Sequence, residues 1–347
     1  MRRYGRTLVA AALATVVVAG TAGWASGTSQ QAVTGPPPGT AAWRADTSLG
    51  RTLPDPATAS PRAVAAFFAG LTERQTAALV RRHPLVVGNL DGAPVTLRYA
   101  ANARAVRAEH NPRYDRLASP GRRILAFDPR GRGQVAEVYG DLTAAREVAV
   151  IVPGSDIDAG SFDRTKDPYG TPAGMAGALR DATGDRTAVI AWTGYTTPVG
   201  VGIDAATGDL ASAGATRLAR FTRGLAAVGA PKPALFCHSY GSVVCGLAAH
   251  EVNASDIVVF GSPGMRADSV RALRTTARVW AAKDSSDWIS KVPHVEFAGL
   301  GHGPDPAGAG FGARRVPAEH ADGHTGYFVP GTDSLRAFAA IAEGDAR

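Results

Sequence analysis

Residues 233–250 read PALFCHSYGSVVCGLAAH, a strand-like run and a helix-like run joined by a short turn. The apolar residues 233–237 predict a buried strand, and residues 242–250 have the small and apolar composition of a buried helix. Ser239 lies on the turn between them. A serine on a sharp strand-to-helix turn is typical of a nucleophile elbow, which raises the hydroxyl above the edge of a sheet.

The residues around this serine test that interpretation, because strand and helix nearly touch at such a turn. Small residues are needed two positions before and two after the serine. Gly241 meets this need, whereas Cys237 stands where a glycine is expected and is small enough to fit. The alternative interpretation is a buried serine in an ordinary turn. The position of the motif between a predicted strand and a predicted helix favours the elbow.

Cys237 and Cys245 are the only cysteines of the chain. One is predicted at the end of a strand and the other inside the next helix. Such positions usually place Cα atoms beyond the ~7 Å limit for a disulfide. We therefore expect two small buried thiols and no bond between them.

The pattern around the elbow predicts an α/β-hydrolase fold. Two short β-prone runs separated by a turn, residues 124–127 and 134–139, predict an antiparallel hairpin. Apolar runs separated by Ala-rich helical stretches then predict a mostly parallel sheet with helices on both faces. These runs are Val148–Val152, Ala188–Trp192, Ala234–Cys237, Ile257–Phe260 and Val279–Ala282.

Two backbone amides are candidates for an oxyanion hole. In this fold one N–H belongs to the residue after the nucleophile, here Tyr240, and the other to the loop after the third strand. That loop reads Pro153-Gly154-Ser155-Asp156. We expect the second donor to be Ser155, with Asp156 as the alternative.

The acid and base should follow the serine in the order Asp or Glu, then His. Asp287 follows the strand Val279–Ala282 and precedes an aromatic residue, which favours it as the acid, and Asp284 is the alternative. His324 lies in the last loop before the predicted terminal helix and is the expected base. The other late histidines are His294, His302 and His320, and His302 is expected to shape the pocket wall.

His320 and His324 also have a spacing that a metal site would use on a helix. Asp322-Gly323 between them breaks a helix, so no zinc site is expected, and calcium stays open. The predicted chemistry needs no cofactor.

The N-terminus has the organisation of a secretory signal. Residues 1–7 are basic, Leu8–Gly20 is apolar, and Gly23 and Ala25 are the small residues that a signal peptidase recognises. We expect residues 1–25 to be removed and the protein to be secreted or held in the cell envelope. The alternative is an uncleaved membrane anchor, since the uncharged run nearly spans a bilayer.

The mature chain is expected to hold one domain. Residues 26–58 are rich in Gly and Pro and predict a flexible linker, and residues 59–347 predict the α/β domain. Its first part, residues 59–120, is expected to be an N-terminal helical segment, because Ser60 and Thr72 are both followed by helix-opening patterns. The net charge of +7 falls to +4 without the signal, which gives no reason to expect a nucleic-acid partner.

Several segments together resemble an actinobacterial α/β-hydrolase family catalogued as a domain of unknown function. The resemblance covers residues 60–340 and implies a triad of Ser239, an Asp after the Trp280 strand, and His324. It implies no substrate, and Cys237 replaces the glycine usual in that family. The matching segments are 86–94 (VVGNLDGAP), 126–129 (AFDP), 152–154 (VPG), 238–242 (HSYGS), 261–264 (GSPG), 302–306 (HGPDP) and His324 with Tyr327-Phe328.

These observations predict a secreted serine hydrolase that cleaves a small-molecule or lipid ester, with transient membrane or cell-wall association as an option. A peptidase or acyltransferase on the same triad is one alternative. A non-catalytic binding protein of the cell envelope is another, and the oligomeric state is open.

Overall fold

The computed structural model describes residues 29–346, so the expected signal peptide lies outside the described residues. Its strands are β1 (Ile124–Asp128), β2 (Gln134–Tyr139), β3 (Glu147–Val152), β4 (Thr187–Thr193), β5 (Ala234–His238), β6 (Asp256–Phe260), β7 (Arg278–Ala282), β8 (Glu296–Phe297), β9 (Leu300–Gly301) and β10 (Arg314–Val316). Its helices are α1 (Thr40–Arg44), α2 (Pro61–Ala69), α3 (Glu73–Arg82), α4 (Pro84–Asn89), α5 (Val95–Ala108), α6 (Pro172–Thr183), α7 (Ile203–Ala206), α8 (Asp209–Ala227), α9 (Gly241–Ala248) and α10 (Asp333–Ala342).

Eight strands form one sheet in the order β1-β2-β4-β3-β5-β6-β7-β10. The first two pairs, β1 with β2 and β2 with β4, are antiparallel, and every later pair is parallel. Strands β8 and β9 form a separate small hairpin. The predicted mostly parallel sheet with an antiparallel start is confirmed.

Both faces of this sheet are buried. Along β3, Val148, Val150 and Val152 point into one apolar cluster with α8 and α9, while Ala149 and Ile151 point into the opposite cluster with α6 and α10. This alternation is the period-two pattern of a strand covered by helices on both sides. The sheet therefore holds the carboxyl ends of its parallel strands rigidly at one edge.

The predicted helical segment packs on the sheet edge. Both predicted N-caps are present, since Ser60 accepts from Ala63 N and Thr72 forms a capping box with Gln75. At the end of α4, the side chain of Asn89 donates to Phe127 O at 2.6 Å and accepts from Phe127 N at 3.2 Å. The amide side chain thus pairs with the backbone of β1 and covers an edge that would otherwise stay open.

The described part of the segment predicted as a flexible linker lies on the domain instead. Trp43 is fully buried, and its indole donates to Pro54 O at 2.7 Å. Gln30 donates to Thr197 O at 2.7 Å, on the loop that follows β4. A large aromatic side chain buries enough apolar surface to fix an otherwise Gly- and Pro-rich segment. Among residues 29–346, no helix combines the length and apolarity needed to cross a bilayer.

Candidate active site

Ser239 lies on the turn between β5 and α9 with φ of 52°, in the left-handed region that residues other than glycine seldom adopt. Its amide donates to Phe260 O at 3.0 Å, which fixes the turn to the neighbouring strand β6. A Cβ at Gly241 would stand 2.4 Å from Val152 O, so this position requires glycine. A strained residue that the surroundings hold in place is a common feature of functional sites.

The expectation of free thiols is wrong, because Cys237 and Cys245 form a disulfide. The tight turn folds α9 back against β5 and brings the two Cα atoms to 6.4 Å, inside the range that a disulfide spans. Both residues are fully buried. The cysteine that replaces the expected glycine therefore cross-links the two elements that carry Ser239.

The loop after β3 lies directly against the serine. A Cβ at Gly154 would stand 2.6 Å from Ser239 Cβ, so only glycine allows this approach. Among the described residues the amides of Ser155 and Tyr240 have no hydrogen-bond acceptor, whereas Asp156 N donates to Pro198 O at 2.8 Å. The two predicted donors remain available to a ligand, and the amide of the alternative, Asp156, is occupied.

Asp287 and His324 meet across 37 residues of sequence. His324 Nδ1 lies 2.8 Å from Asp287 Oδ1 and 3.0 Å from Oδ2. The Asp287 side chain is fully buried, and the His324 side chain is 14% exposed. Because Nδ1 donates to the carboxylate, Nε2 is the ring nitrogen left to exchange a proton with another group.

The charge state of Asp287 is set by opposing effects. Burial alone would raise the pKa of its carboxyl, but hydrogen bonds and the charge of His324 outweigh burial and lower the pKa below its usual value. The donors besides His324 are Ile289 N at 2.9 Å and the Tyr327 hydroxyl at 2.8 Å. The carboxylate is therefore ionised at neutral pH and can stabilise a positively charged imidazole.

Asp284, the alternative acid, points elsewhere. Its carboxylate accepts from Ser286 N at 2.6 Å within its own turn, and it makes no hydrogen bond to His324. Its backbone N–H donates to the Tyr327 hydroxyl at 3.0 Å. Asp284 thus shapes the loop that carries Asp287.

Ser239 and the Asp287–His324 pair both lie against the end of β6, Ser239 at Phe260 and the pair at the following residue, Gly261. Ser239 N bonds to Phe260 O, and a Cβ at Gly261 would stand 3.0 Å from both Asp287 Oδ2 and the His324 ring. Within the described chain no hydrogen bond joins the Ser239 hydroxyl to His324 Nε2. Such bonds are often long without substrate and tighten when it binds.

Two residues of the site were not singled out from the sequence. His238 is buried, and burial, followed by the nearby His324 charge, lowers its pKa to about 3, so its ring is neutral. Its Nε2 donates to His324 O at 2.8 Å and so holds the backbone of the loop. Tyr327 in turn holds Asp287. Both residues belong to the sequence segments on which the family resemblance rests, and that resemblance is the feature of the sequence that could have identified them.

The other late histidines face different partners. His302 Nε2 donates to Ala205 O at 2.7 Å, and its ring lies edge-on to Tyr240 at 5.5 Å, where burial lowers its pKa to about 4. His294 contacts Lys283 at 3.2 Å, and exposed His320 lies 3.4 Å from Asp333. His302 therefore packs beside Tyr240, whose amide is a candidate oxyanion donor, and its role in the pocket wall stays a prediction.

His320 and His324 diverge rather than converge on a common point. In the part of the chain that the structure describes, no group of three His, Cys, Asp or Glu side chains is arranged to hold a metal ion.

Comparison with known proteins places this geometry in context. Residues 128–297 match the model of an alpha/beta hydrolase family. Uncharacterized proteins from two strains of Mycobacterium tuberculosis are 29% identical, over 84% of this chain and 57% of their own length. The chain thus spans little more than half the length of these relatives.

Solved structures give weaker likenesses. A serine hydrolase without lid from Xanthomonas campestris is 20% identical over 49% of this chain and 74% of its own, with a TM-score of 0.33. A dienelactone hydrolase from Anabaena variabilis is 16% identical over 61% of this chain and 90% of its own, with a TM-score of 0.37. The sheet topology and the family match together establish that the chain has the α/β-hydrolase fold.

Proposed function

We propose that this protein is an exported serine hydrolase that cleaves an ester through an acyl-enzyme on Ser239. The observation that carries the proposal is the buried Asp287–His324 pair beside a serine held at φ of 52° on a strand-to-helix turn. An ordinary buried serine has no need of a strained backbone, an ionised carboxylate and an oriented imidazole at the same place.

Each group has a defined part in the reaction. Ser239 Oγ attacks the acyl carbon while its proton passes to His324 Nε2, and the N–H groups of Tyr240 and Ser155 bind the resulting oxyanion. The alcohol leaves with the proton from Nε2. A water molecule then loses a proton to Nε2 and attacks the acyl carbon. Nε2 returns that proton to Ser239 Oγ as the bond between Oγ and the acyl carbon breaks, which releases the acid and restores Ser239. Asp287 orients and stabilises the charged imidazole throughout.

Export is the second part of the proposal. Disulfides persist in oxidising compartments and are rare in the cytosol, so the Cys237–Cys245 bond agrees with the secretory signal predicted at residues 1–25. N-terminal sequencing of protein from the medium or the cell wall should find residue 26 or a close neighbour first. Membrane-bound protein that begins at Met1 would indicate an anchor instead.

The reaction is tested with a fluorophosphonate, which reacts with activated serines. We expect stoichiometric labelling of the folded protein at neutral pH and none in Ser239→Ala. Ser242→Ala, three residues along the same turn and helix, is the matched control and should still be labelled. Absence of labelling would instead favour a non-catalytic binding protein.

The bond that is cleaved is tested separately. Matched ester and amide substrates with the same acyl group distinguish an esterase from a peptidase, and added alcohols reveal transfer in place of hydrolysis. We expect the ester to be hydrolysed and the acid to be the main product.

A further inference from the structure

We infer that the mouth of this site is a docking surface for a lipid aggregate, so that the ester substrate is drawn from a lipid surface rather than from solution. The inference rests on the proposed function, which it extends to a substrate class. It begins from the exposed apolar side chains. In residues 29–346 seven large apolar side chains are exposed, among them Phe297 at 82% and Val201 at 61%.

All seven lie on three connecting segments, which are loops apart from the short helix α7 and the hairpin β8–β9. Six of them, which we call the apolar rim, are Val199, Val201, Ile203, Trp288, Val295 and Phe297, and the seventh, Val329, follows the loop of His324. These loops come after β4, after β7 and before α10. Carboxyl ends of parallel strands meet at the same edge of a sheet, which is where Ser239 stands.

Contacts within the structure tie each part of the rim to the candidate site. Gly200 N donates to the Asp156 carboxylate at 2.8 Å, which fixes Val199 and Val201 beside the loop of Ser155. The Trp288 ring lies 4.7 Å from the His324 ring. The rim segments therefore contact the loops that carry Ser155 and His324.

The hairpin β8–β9 is held in the same region. Arg266 donates to Gly299 O at 2.7 Å and pairs with Glu296 at 3.2 Å. The adjoining His302 contacts both Ala205, in the same short helix as Ile203, and the Tyr240 ring. Phe297 is thus presented to water by a fixed hairpin at the mouth.

A lipid surface explains this arrangement better than a soluble ester does. A small soluble substrate needs apolar walls inside a pocket, whereas these side chains are exposed to water on separate segments of the chain. Large apolar side chains grouped at one surface mark an interaction site, and tryptophan favours the boundary between water and lipid. The charged residues close in sequence to the rim, Asp204, Lys291 and Glu296, carry both signs, so an uncharged or zwitterionic surface should suffice.

The test measures binding of the protein to phosphatidylcholine vesicles by co-sedimentation, in a Ser239→Ala background that prevents turnover. We expect the parent protein to sediment with the vesicles. The triple variant Val201→Ser, Ile203→Ser, Phe297→Ser should bind at least about tenfold more weakly, because each buried apolar side chain adds to membrane affinity. Lys291→Gln, between the rim residues Trp288 and Val295 in sequence, is the control and should bind like the parent.

The same rim variant with Ser239 intact keeps this result separate from the proposed function. It should keep fluorophosphonate labelling and turnover of a short soluble ester, which also shows that it folds. Equal vesicle binding by parent and rim variant, or none by either, overturns the lipid surface. If sedimentation velocity shows a dimer that the rim variant does not form, the rim binds a second copy of the chain, and this result also overturns the lipid surface. If vesicle binding depends on the rim but the protein is not labelled by the fluorophosphonate, the docking surface is supported and the proposed hydrolase function is refuted.

Discussion

The nucleophile elbow and the apolar rim lie at the same edge of the sheet but differ in how their side chains meet water. At the elbow, Cys237, Cys245 and the Asp287 side chain are fully buried, and Ser239 is anchored to the backbone of β6. On the rim, Phe297 is 82% exposed. The elbow is fixed by a disulfide and close backbone contacts, whereas the rim is shaped by loops that leave apolar surface uncovered.

This difference separates two tasks. Chemistry requires groups held to within a fraction of an ångström, which buried elements of a sheet provide. Access and substrate choice depend on loops, which can vary without disturbing the sheet. We therefore expect changes at the elbow and its hydrogen-bonded partners to alter turnover or stability, and changes of Val201, Ile203 and Phe297 on the rim to alter binding to a lipid surface alone.

The largest effect should come from the base. His324→Ala removes the group that accepts the Ser239 proton, so turnover of a short activated ester should fall by at least about a thousandfold, as in other triads. His320→Ala is the matched control, since that exposed ring contacts Asp333 and not Asp287. Turnover and circular dichroism are measured on both. If His324→Ala keeps most activity while His320→Ala or His302→Gln is inactive, the base has been assigned wrongly.

Loss of the disulfide should act next, on stability. The cross-link closes a loop of about nine residues, and the chain-entropy model assigns such a loop roughly 2–3 kcal/mol in the free energy of unfolding. We expect the free energy of unfolding of the double variant Cys237→Ala, Cys245→Ala to be lower by that amount. Urea denaturation measures it, and the midpoint should move to a lower urea concentration. Fluorophosphonate labelling should slow, because α9 is then less firmly held behind Ser239.

Two samples of the wild-type protein, one untreated and one reduced, are the controls for this prediction. Thiol counting in denatured, unreduced protein should find no free cysteine. Two free thiols would contradict the bond, and unchanged stability of the double variant would show that packing alone holds the elbow.

The smallest effect should come from Tyr327→Phe. Hydrogen bonding lowers the folded-state pKa of Asp287, so the ionised carboxylate stabilises the fold above its unfolded-state pKa. That stability is lost as pH falls through the folded-state pKa. Removing the Tyr327 hydroxyl raises this folded-state pKa, so acid inactivation should begin at a higher pH than in the wild type.

The measurement is the rate of fluorophosphonate labelling from acid to neutral pH, with thermal unfolding followed in parallel. At neutral pH the labelling rate should fall by about tenfold or less, since His324 still contacts Asp287. Tyr169→Phe is the control and should leave the pH profile unchanged, because this partly buried tyrosine makes no hydrogen bond to Asp284 or Asp287. If the pH profile of labelling in Tyr327→Phe is not shifted, the Tyr327 hydroxyl supports the loop of Asp287 only through its hydrogen bond with Asp284 N.

Much of the fold was predictable because it depends on local patterns. Alternating apolar residues in β3, the caps at Ser60 and Thr72, and the serine turn between β5 and α9 each involve neighbours in sequence. The choice of Asp287 over Asp284 was predicted from its aromatic neighbour, and the structure brings Asp287 to His324. The roles of both in a reaction stay predictions until labelling is done.

The amino-acid sequence by itself determined the succession of the main strands and helices along the chain. It also determined the place of Ser239 and the segments of the family resemblance. Only the tertiary structure decided which groups meet across long separations. Cys237 reaches Cys245 because the turn packs α9 tightly on β5, a distance that residue spacing does not specify. Tyr327 and His238 hold Asp287 and His324 across 40 and 86 residues. Likewise, exposure of the apolar rim depends on what the rest of the chain leaves uncovered, and no local pattern encodes that.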